Sequence, residues 1–232
     1  MPKHDPRLFE SHQDIVPFET IKSRHVTIVG CGAIGTIAGR ILARLGGHRF
    51  HLIDGETVEL RHLNREVYAH DQIGSNKATA LAYQLTGIHP RVRAITTAKP
   101  FSPTQLDPGK EDIVLLTTSD PAIPQAALDA MNAWPPAERP AVFMARHTGL
   151  LGGYWMADLR SAAVAEVPSG IPWLVPTGRD APDSRERIAT TAHVVSGILV
   201  QAIADHIMGR PVRERFDVDL EAWVRGTAEA TA

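Results

Sequence analysis

Apolar positions along the first third of the chain follow two different spacings. The stretches VTIVG at 26–30 and HRFHLID at 48–54 are short apolar runs of the kind found in buried strands. Between them, apolar residues recur every three or four positions, as they do on one face of a helix: Ile34, Ile37, Ala38, Ile41, Leu42 and Leu45. The pattern predicts a strand, a helix and a second strand, which together form a βαβ unit.

The alternation of helical and strand-like segments continues downstream. A helix is predicted from about Ser75 to Thr86, followed by a strand at 91–97 and another, DIVLLTT, at 112–118. A further helix is expected in QAALDAMNA at 125–133. Because strands that alternate with helices pair in parallel, we predict an α/β fold with a mostly parallel sheet.

The second half of the chain contains a break and a long helix. Pro and Gly concentrate between about 167 and 183, where VPSGIPWLVPTGRDAPD predicts a loop or crossover that includes Trp173. The stretch VVSGILVQAIADHI at 194–207 then predicts a late helix.

Length, charge and cysteine content limit the classes of protein to which this fold can belong. The 232 residues fit a single domain, with 44% hydrophobic and 22% charged residues and a net charge of −2. This balance gives no general attraction to nucleic acid or to an anionic membrane. Cys31 is the only cysteine, which excludes an internal disulfide and a multi-cysteine zinc site. We expect a cytoplasmic protein with no leader and no membrane-spanning segment.

The first chemical motif is the glycine loop, GCGAIG at residues 30–35, between the first strand and its helix. Such a loop lets the backbone approach a phosphate, and the helix N-terminus favours negative charge there. Asp54 closes the next strand, where a carboxylate can accept hydrogen bonds from ribose hydroxyls. NAD, FAD and ATP would all satisfy this pattern, and a loop that serves packing alone is the alternative. The nucleotide-binding candidates in the loop are Gly30, Gly32, Ala33, Ile34 and Gly35.

Cationic residues follow Asp54 closely and narrow the choice of nucleotide. Arg65 and Lys77 could neutralise the outer phosphates of a triphosphate and the charge of departing pyrophosphate, with the amide of Asn64 beside them. A dinucleotide dehydrogenase does not need these groups. The alternative is that Arg65 caps a turn and that Lys77 is a solvated helix residue.

With these residues in place, the sequence resembles the ThiF/MoeB-like adenylyltransferases, which are related to the ubiquitin-activating enzymes. The resemblance covers most of the chain. It rests on GCGAIG, on Asp54 with the following ETVEL, and on LNRE, IGSNKA, IHP and TTSD. The stretch FMARHTGLLGGYWM resembles the strand pair that follows the family's active site, and VVSGILVQAIADHIMGRP resembles its late helix.

The resemblance implies a fold and a reaction. It implies one Rossmann-like three-layer domain over 1–232, with a nucleotide-binding core at 25–120 and late strands, crossover loop and C-terminal helix at 140–232. Family members use ATP and Mg²⁺ to convert the C-terminal carboxylate of a small β-grasp protein, a ubiquitin-like or sulfur-carrier protein, to an acyl adenylate, and many are homodimers. Trp173 is either a core or interface aromatic or a contact for the carrier tail.

Roles for individual residues come from the same resemblance. Asp54 would hold the ribose, Arg65 and Lys77 the phosphates, with Asn64 near them, and Asp120 would coordinate Mg²⁺. Arg65, Lys77 and Asp120 are therefore the catalytic candidates. Asp120 also fits this role unaided, because the end of a parallel strand is where such sheets present ligands and a carboxylate suits a hard cation. Its alternative role is the N-cap of the next helix.

The chain departs from the family pattern at three places. His62 stands where the family usually has asparagine, and Glu66 stands for the glutamine after the arginine. A carboxylate near phosphates is unfavourable unless it pairs with Arg65 or points away. His12 occupies the place of an arginine that reaches into the partner subunit's site, so that role falls to His12, to Arg7 or to neither.

Cysteine usage limits the chemistry that is possible after the adenylate has formed. Some relatives pass the acyl group to a catalytic cysteine located after the magnesium aspartate, and this chain has no cysteine beyond Cys31. We therefore expect the reaction to stop at the adenylate, with Cys31 a small filler residue. Two other functions stay open. One is adenylation of a small-molecule or RNA-borne carboxylate, as in threonylcarbamoyladenosine dehydratases, and the other is a non-catalytic nucleotide-binding scaffold. No nucleic-acid partner is expected in the leading interpretation.

Overall fold

The computed structural model describes residues 6–164, 166–169 and 188–225. Most of the loop predicted at 167–183, including Trp173, lies outside these residues, as does the tail from 226. None of the helices in the described ranges is long and apolar enough to cross a lipid bilayer.

A single sheet organises the described residues. Its strands are β1 His25–Val29, β2 Arg49–Ile53, β3 Arg93–Thr97, β4 Ile113–Leu116, β5 Ala141–Thr148, β6 Leu151–Asp158 and β7 Arg215–Asp219. They lie in the order β3-β2-β1-β4-β5-β6-β7. Neighbours from β3 to β5 are parallel, whereas β6 and β7 extend the sheet in antiparallel fashion. The α/β class and the mostly parallel sheet are thereby confirmed.

Helices cover both faces of the sheet. They are α1 Phe18–Lys22, α2 Ala33–Arg44, α3 Lys77–Ile88, α4 Ala122–Asn132, α5 Ala189–Ile207 and α6 Leu220–Arg225. Helix α3 begins two residues later than predicted because Asn76 caps it, its side-chain oxygen accepting a hydrogen bond from the Thr79 N–H at 3.2 Å. Helix α5 begins five residues earlier than its apolar pattern predicts.

Alternation along the buried strands separates two cores. On one face, Ile28, Leu52 and Leu115 pack with helices α2, α3 and α5. On the other face, Val29 and Leu116 pack with α4. Strand β4 is buried along its whole length, as expected for a central parallel strand. The result is the three-layer arrangement that the family resemblance implies.

The glycine loop depends on two of its glycines for packing. Gly30 has a φ of +96°, and a Cβ there would lie 2.8 Å from the backbone nitrogen of Thr118. A Cβ on Gly35 would lie 2.1 Å from the carbonyl oxygen of Gly30. Both positions therefore exclude any larger residue, because strand β1, helix α2 and the end of β4 meet there.

Residues 6–12 pack against helix α1 and the residue that follows α3. A 3₁₀ helix, Pro6–His12, places Phe9 in a stack with Phe18, with ring centroids 4.6 Å apart. The ring of His12 contacts Phe9 edge-on, and Phe9 also packs on His89, just beyond the end of α3. This aromatic cluster fixes the segment that precedes β1.

Candidate functional site

A cleft of about 250 Å³ opens at the carboxyl ends of β1, β2, β4 and β5. Parallel α/β sheets bind ligands at this edge, where the strand order reverses direction between β1 and β4. The cleft brings together most of the residues predicted from the sequence: Gly30, Gly32, Ala33, Ile34, Asp54, Arg65 and Lys77. Gly35, Asn64 and Asp120 are not among its lining residues.

The glycine loop supplies the backbone wall of this cleft. Gly32 is the N-cap of helix α2 and has no side chain to satisfy the first N–H groups of the helix. The nearest atom to a Cβ built on Gly32 is the Glu66 Oε1 at 3.9 Å, an ordinary contact distance, so a Cβ would fit here, unlike at Gly30 and Gly35. The N-terminus of a twelve-residue helix is thus open toward the cleft, which favours an anion.

Asp54 is fixed at the end of β2 by two backbone hydrogen bonds. Its Oδ2 accepts from the Cys31 N–H at 2.7 Å and its Oδ1 from the Glu56 N–H at 2.7 Å. Burial raises the pKa of Asp54, while these two hydrogen bonds oppose the rise. The carboxylate therefore joins the glycine loop to the segment after β2.

That segment is tied to the start of α3. Asn76 donates from its side-chain amide to the Asp54 carbonyl at 2.8 Å, and Thr57 and Asn76 form an isolated antiparallel bridge. The Lys77 N–H donates to the Glu56 carbonyl at 2.9 Å. Residues 54–58 and 74–77 thus form a closed base that fixes Asp54 and Lys77 relative to one another.

Lys77 lies at the first position of α3, and its side chain is only 3% exposed. Its Nζ donates to Glu56 Oε2 at 2.6 Å and to Glu66 Oε1 at 3.2 Å, and it lies 3.0 Å from Glu66 Oε2. A buried ammonium needs such partners. The structure does not place Lys77 on a solvated helix face, which was the alternative to a role in the site.

The two glutamates respond differently to this ammonium. Burial raises the pKa of Glu66 above its usual value, although Lys77 opposes the rise. Burial is also the largest single influence on Glu56, but the hydrogen bond from Lys77 and the charges of Lys77, His62 and Arg61 together outweigh it and lower that pKa. For Lys77, burial acts to lower the pKa, and the two carboxylates reverse this and raise it. Lys77 is therefore fully charged at neutral pH.

Arg65 lines the cleft beside this group. Its guanidinium donates to the Arg61 carbonyl at 3.0 Å and to the side-chain oxygen of Asn64 at 3.2 Å, and it lies 3.8 Å from Glu66 Oε1. Asn64 is exposed and orients Arg65 instead of lining the cleft. Both cations predicted to contact phosphates thus flank one carboxylate, that of Glu66.

His62 is buried in the wall of the same cleft. Its Nδ1 accepts a hydrogen bond from the Glu59 N–H at 3.0 Å, so this nitrogen carries no proton. Burial, followed by the charge of Lys77, lowers the pKa of His62. The imidazole is therefore neutral and adds no positive charge to the cleft at neutral pH.

Asp120 follows β4, next to Ser119, which lines the cleft. It is exposed, and its Oδ1 accepts a hydrogen bond from the Ala122 N–H at 2.9 Å at the start of α4. Asp120 therefore contacts the start of α4, but the N-cap residue of this helix is Pro121 and not Asp120. Within the described ranges, no three His, Cys, Asp or Glu side chains gather as a cation site.

Arg146 is a cleft residue that sequence reasoning missed. It lies near the end of β5, is buried, and donates through Nη2 to the Ser119 carbonyl at 3.0 Å. This contact ties β5 to the residue before Asp120. The only signal for Arg146 was a charged residue at the end of the apolar run AVFMA, in a stretch that resembled the family's late strands. Glu56 was also missed, because acidic residues are not expected near phosphates.

Neither candidate for the subunit-crossing role lines the cleft of its own chain. His12 lies in the N-terminal aromatic cluster, and Arg7 is exposed on the same 3₁₀ helix. The proposed reach of either residue into a second subunit stays a prediction.

The chain is similar to known proteins over most of its length. A profile of the ThiF family matches residues 16–219. Ubiquitin-like modifier-activating enzyme 5 of Oryza sativa subsp. japonica is 39% identical over 90 residues, which are 36% of this chain and 21% of that protein. The match thus spans about a fifth of the length of this relative.

Two solved structures share the fold. The crystal structure of selenomethionine PaaA superposes with a TM-score of 0.72 at 22% identity, over 92% of this chain and 66% of that one. E. coli MccB, crystallised with AMPCPP and selenomethionine MccA, gives a TM-score of 0.66 at 17% identity, over 87% and 62%. At these identities the likeness shows the architecture alone.

Proposed function

The chain belongs to the ThiF family, and from this premise we propose that it is an ATP-dependent adenylyltransferase. Its substrate would be the C-terminal carboxylate of a small ubiquitin-like or sulfur-carrier protein, or of a peptide. The observation that carries the proposal is the convergence of the glycine loop, Asp54, Arg65 and Lys77 on one cleft. A loop that served packing alone would not need two cations and a ribose-binding carboxylate around it.

Each group has a task in this reaction. Asp54 accepts hydrogen bonds from the ribose hydroxyls, and the N–H groups at the start of α2 face the phosphates. A carboxylate oxygen of the substrate attacks the α-phosphorus, and the bond from that phosphorus to the bridging oxygen breaks. Pyrophosphate leaves with the bonding electrons, and Arg65 and Lys77 stabilise its developing charge. The products are an acyl adenylate and pyrophosphate.

A magnesium ion fits the donors near Asp120. Mg²⁺ is usually held by one or two carboxylates together with substrate phosphates, so a single exposed Asp120 beside the cleft is a sufficient protein contribution. When bound, the ion would supply positive charge to the phosphates. Arg146, through its hydrogen bond to the Ser119 carbonyl, would hold the turn that carries Asp120.

The comparisons support this proposal through the proteins they name. The rice relative is a ubiquitin-like modifier-activating enzyme, and the MccB structure contains AMPCPP together with MccA. By extension, we propose that this chain also takes a protein or peptide partner, acts in the cytoplasm, and works as a homodimer. Burial of Cys31 supports a reaction that ends at the adenylate, because the only thiol of the chain is enclosed by the protein.

ATP–pyrophosphate exchange tests the proposal directly. Purified protein with Mg²⁺, ATP and labelled pyrophosphate should incorporate label into ATP only when a Gly-Gly-ending β-grasp protein or a suitable peptide is present. The matched control is the same partner with its C-terminal carboxylate amidated, which should give no exchange. Exchange with an RNA or a small carboxylate instead would favour the second class of substrate. The absence of exchange with every class would leave a non-catalytic scaffold.

A further inference from the structure

Lys77 has two carboxylate partners that differ in one physical property. Glu56 and Glu66 both lie within hydrogen-bond distance of its Nζ, but the Glu56 side chain is 67% exposed and that of Glu66 is 4% exposed. An exposed carboxylate can turn into water at little cost, whereas a buried one that leaves a charged partner loses much of the interaction that compensates for its burial. The two ion pairs are therefore unequal in strength and in freedom to change.

Glu66 is fixed from several sides. Its backbone N–H donates to the His62 carbonyl at 2.8 Å, in the turn that follows a 3₁₀ helix at Leu60–His62. Its carboxylate lies between Lys77 and Arg65 and faces the glycine loop at Gly32. A negative charge in this position attracts both cations toward the loop and limits the orientations that their side chains adopt.

Glu56 is fixed through its backbone, and its side chain has one further contact, the 2.6 Å hydrogen bond from Lys77. Its N–H and carbonyl belong to the closed base, where they contact Asp54 and Lys77. Its side chain lines the cleft and is otherwise open to water. Rotation about the side-chain torsions would remove the carboxylate from Lys77 without moving the backbone that holds Asp54.

We propose that the two glutamates divide the control of Lys77, with Glu66 as the positioning residue that anchors its ammonium and Glu56 as an exchangeable counterion that a nucleotide phosphate replaces. The exchange substitutes one anion for another, so the buried ammonium stays paired before and after the nucleotide arrives. This inference rests on the proposed function, because it takes the incoming anion to be the phosphate chain of ATP.

Three isosteric variants separate the two roles. Glu56→Gln and Glu66→Gln each remove one charge next to Lys77, and Glu59→Gln removes the same charge from a glutamate that pairs with Arg61 instead. Two quantities are measured for each variant and for the unmodified chain. One is the Kd for Mg²⁺–AMPCPP by calorimetry, and the other is the pKa of the Lys77 ammonium by NMR without nucleotide.

Glu56→Gln should lower the Kd for AMPCPP by about fivefold relative to Glu59→Gln, because the phosphate then displaces no ion pair. Glu66→Gln should lower the pKa of Lys77 more than Glu56→Gln does, because Glu66, the fixed partner, contributes most to the stabilisation of the charged ammonium. A Kd in Glu56→Gln no lower than in Glu59→Gln, or a Lys77 pKa insensitive to Glu66→Gln, would overturn the inference. If the unmodified chain bound no AMPCPP, both the proposed function and this inference would be wrong. If it bound AMPCPP tightly and the Kd were the same in all variants, only this inference would be wrong.

Discussion

The hydroxyl of Tyr68 lies 2.6 Å from the carbonyl oxygen of Cys31 and donates a hydrogen bond to it inside the protein. The same hydroxyl lies 3.1 Å from the carbonyl oxygen of Lys77. Burial raises the pKa of the phenol far above its usual value, so it remains a donor at every working pH. Tyr68 therefore joins the glycine loop to the first residue of α3 through a single side chain.

Replacing Tyr68 with Phe should loosen this connection. The hydroxyl carries one proton, and its loss leaves the Cys31 carbonyl without this donor, so the free energy of unfolding should fall by about 1–3 kcal/mol in denaturant titrations. The Kd for Mg²⁺–ATP should rise several-fold, since the loop is less fixed. The control is Tyr83→Phe, which alters a side chain that is 77% exposed and should change neither quantity. Identical behaviour of the two variants would show that the Tyr68 hydroxyl does not stabilise the loop.

ATP with Mg²⁺ should raise the thermal unfolding temperature, whereas NAD should have little effect. The reason is that Arg65, Lys77 and Asp120 lie in or beside a cleft whose cations suit a triphosphate. Differential scanning calorimetry at matched nucleotide concentrations measures the difference. Strong stabilisation by NAD with none by ATP would contradict the assignment of the nucleotide.

Asp120→Ala should lower the rate of adenylation at least about a hundredfold, which corresponds to roughly 3 kcal/mol of transition-state stabilisation. Because Asp120 also accepts a hydrogen bond from the Ala122 N–H at the start of α4, Asp120→Asn is the sharper variant: asparagine can accept the same hydrogen bond but carries no charge. Pyrophosphate exchange should fall in both variants, and stability only in the alanine variant. A near-normal rate in Asp120→Asn would leave the residue with only its hydrogen bond to the Ala122 N–H.

Arg65→Ala should likewise lower adenylation about a hundredfold, because a guanidinium beside the glycine loop is lost. The matched control is Arg44→Ala, at an exposed position in the last turn of α2. Exchange rates measured at saturating ATP and partner would show the effect. If the two arginine variants gave equal rates, Arg65 would have only the turn-capping role that its hydrogen bond to Arg61 also allows.

Cys31→Ala should retain adenylate formation, and no thioester to this chain should accumulate. Cys31 is fully buried, and burial followed by the charge of Asp54 raises the pKa of its thiol, which keeps it protonated and poorly nucleophilic. A non-reducing gel after incubation with ATP, Mg²⁺ and partner is the measurement. A thiol-sensitive adduct that disappears in Cys31→Ala would mean that the reaction continues past the adenylate.

Stability should decrease as the pH falls below neutral. Burial lowers the pKa of His48, His51 and His206 in the folded state, so below about pH 6.5 these three side chains bind more protons in the unfolded chain than in the folded one. Their contribution is complete above the unfolded pKa and is lost as the pH falls through the folded values. Urea unfolding from pH 7.5 to 5 measures the slope.

His51→Gln isolates one part of this pH dependence. The groups acting on His51 are Glu111, His25 and Asp107, and its Nε2 lies 2.9 Å from the Thr97 hydroxyl, which glutamine can also contact. The variant should flatten the slope between pH 7.5 and 5. An unchanged slope would assign the effect to the other histidines.

The fold was predictable because its strands are buried and its helices are amphipathic. The apolar run in DIVLLTT corresponds to β4, which is buried throughout, and the spacing from Ile34 to Leu45 corresponds to α2. Strand β7 was not predicted because three of its five residues are charged: Arg215, Asp217 and Asp219. Its two apolar residues alternate with charges at the exposed edge of the sheet, a pattern too short to distinguish from a loop.

The site was predictable where a motif fixed the backbone, and not where distant side chains met. The glycine loop and Asp54 follow directly from a strand–loop–helix pattern. The partner of Glu66 could not be predicted in this way. Pairing with Arg65 was considered, but Lys77, eleven positions further along the chain, lies closer to the carboxylate. The 3₁₀ helix before Glu66 turns its side chain inward. Arg146 reaches the cleft from β5, a relationship that only the strand order reveals.

The bridge between Thr57 and Asn76 has a further consequence for the chain that it encloses. Residues 59–73 form a loop whose two ends are already joined, so the entropy of bringing them together is lost during folding and not when a ligand binds. The cleft is therefore preorganised at its base, while the outer wall, which carries Arg61 and Arg65, belongs to the enclosed loop. Substitutions at exposed positions of that loop, such as Arg61, can change which ligand is accepted, and the bridge at its base keeps the backbones of Asp54 and Lys77 in their relative positions.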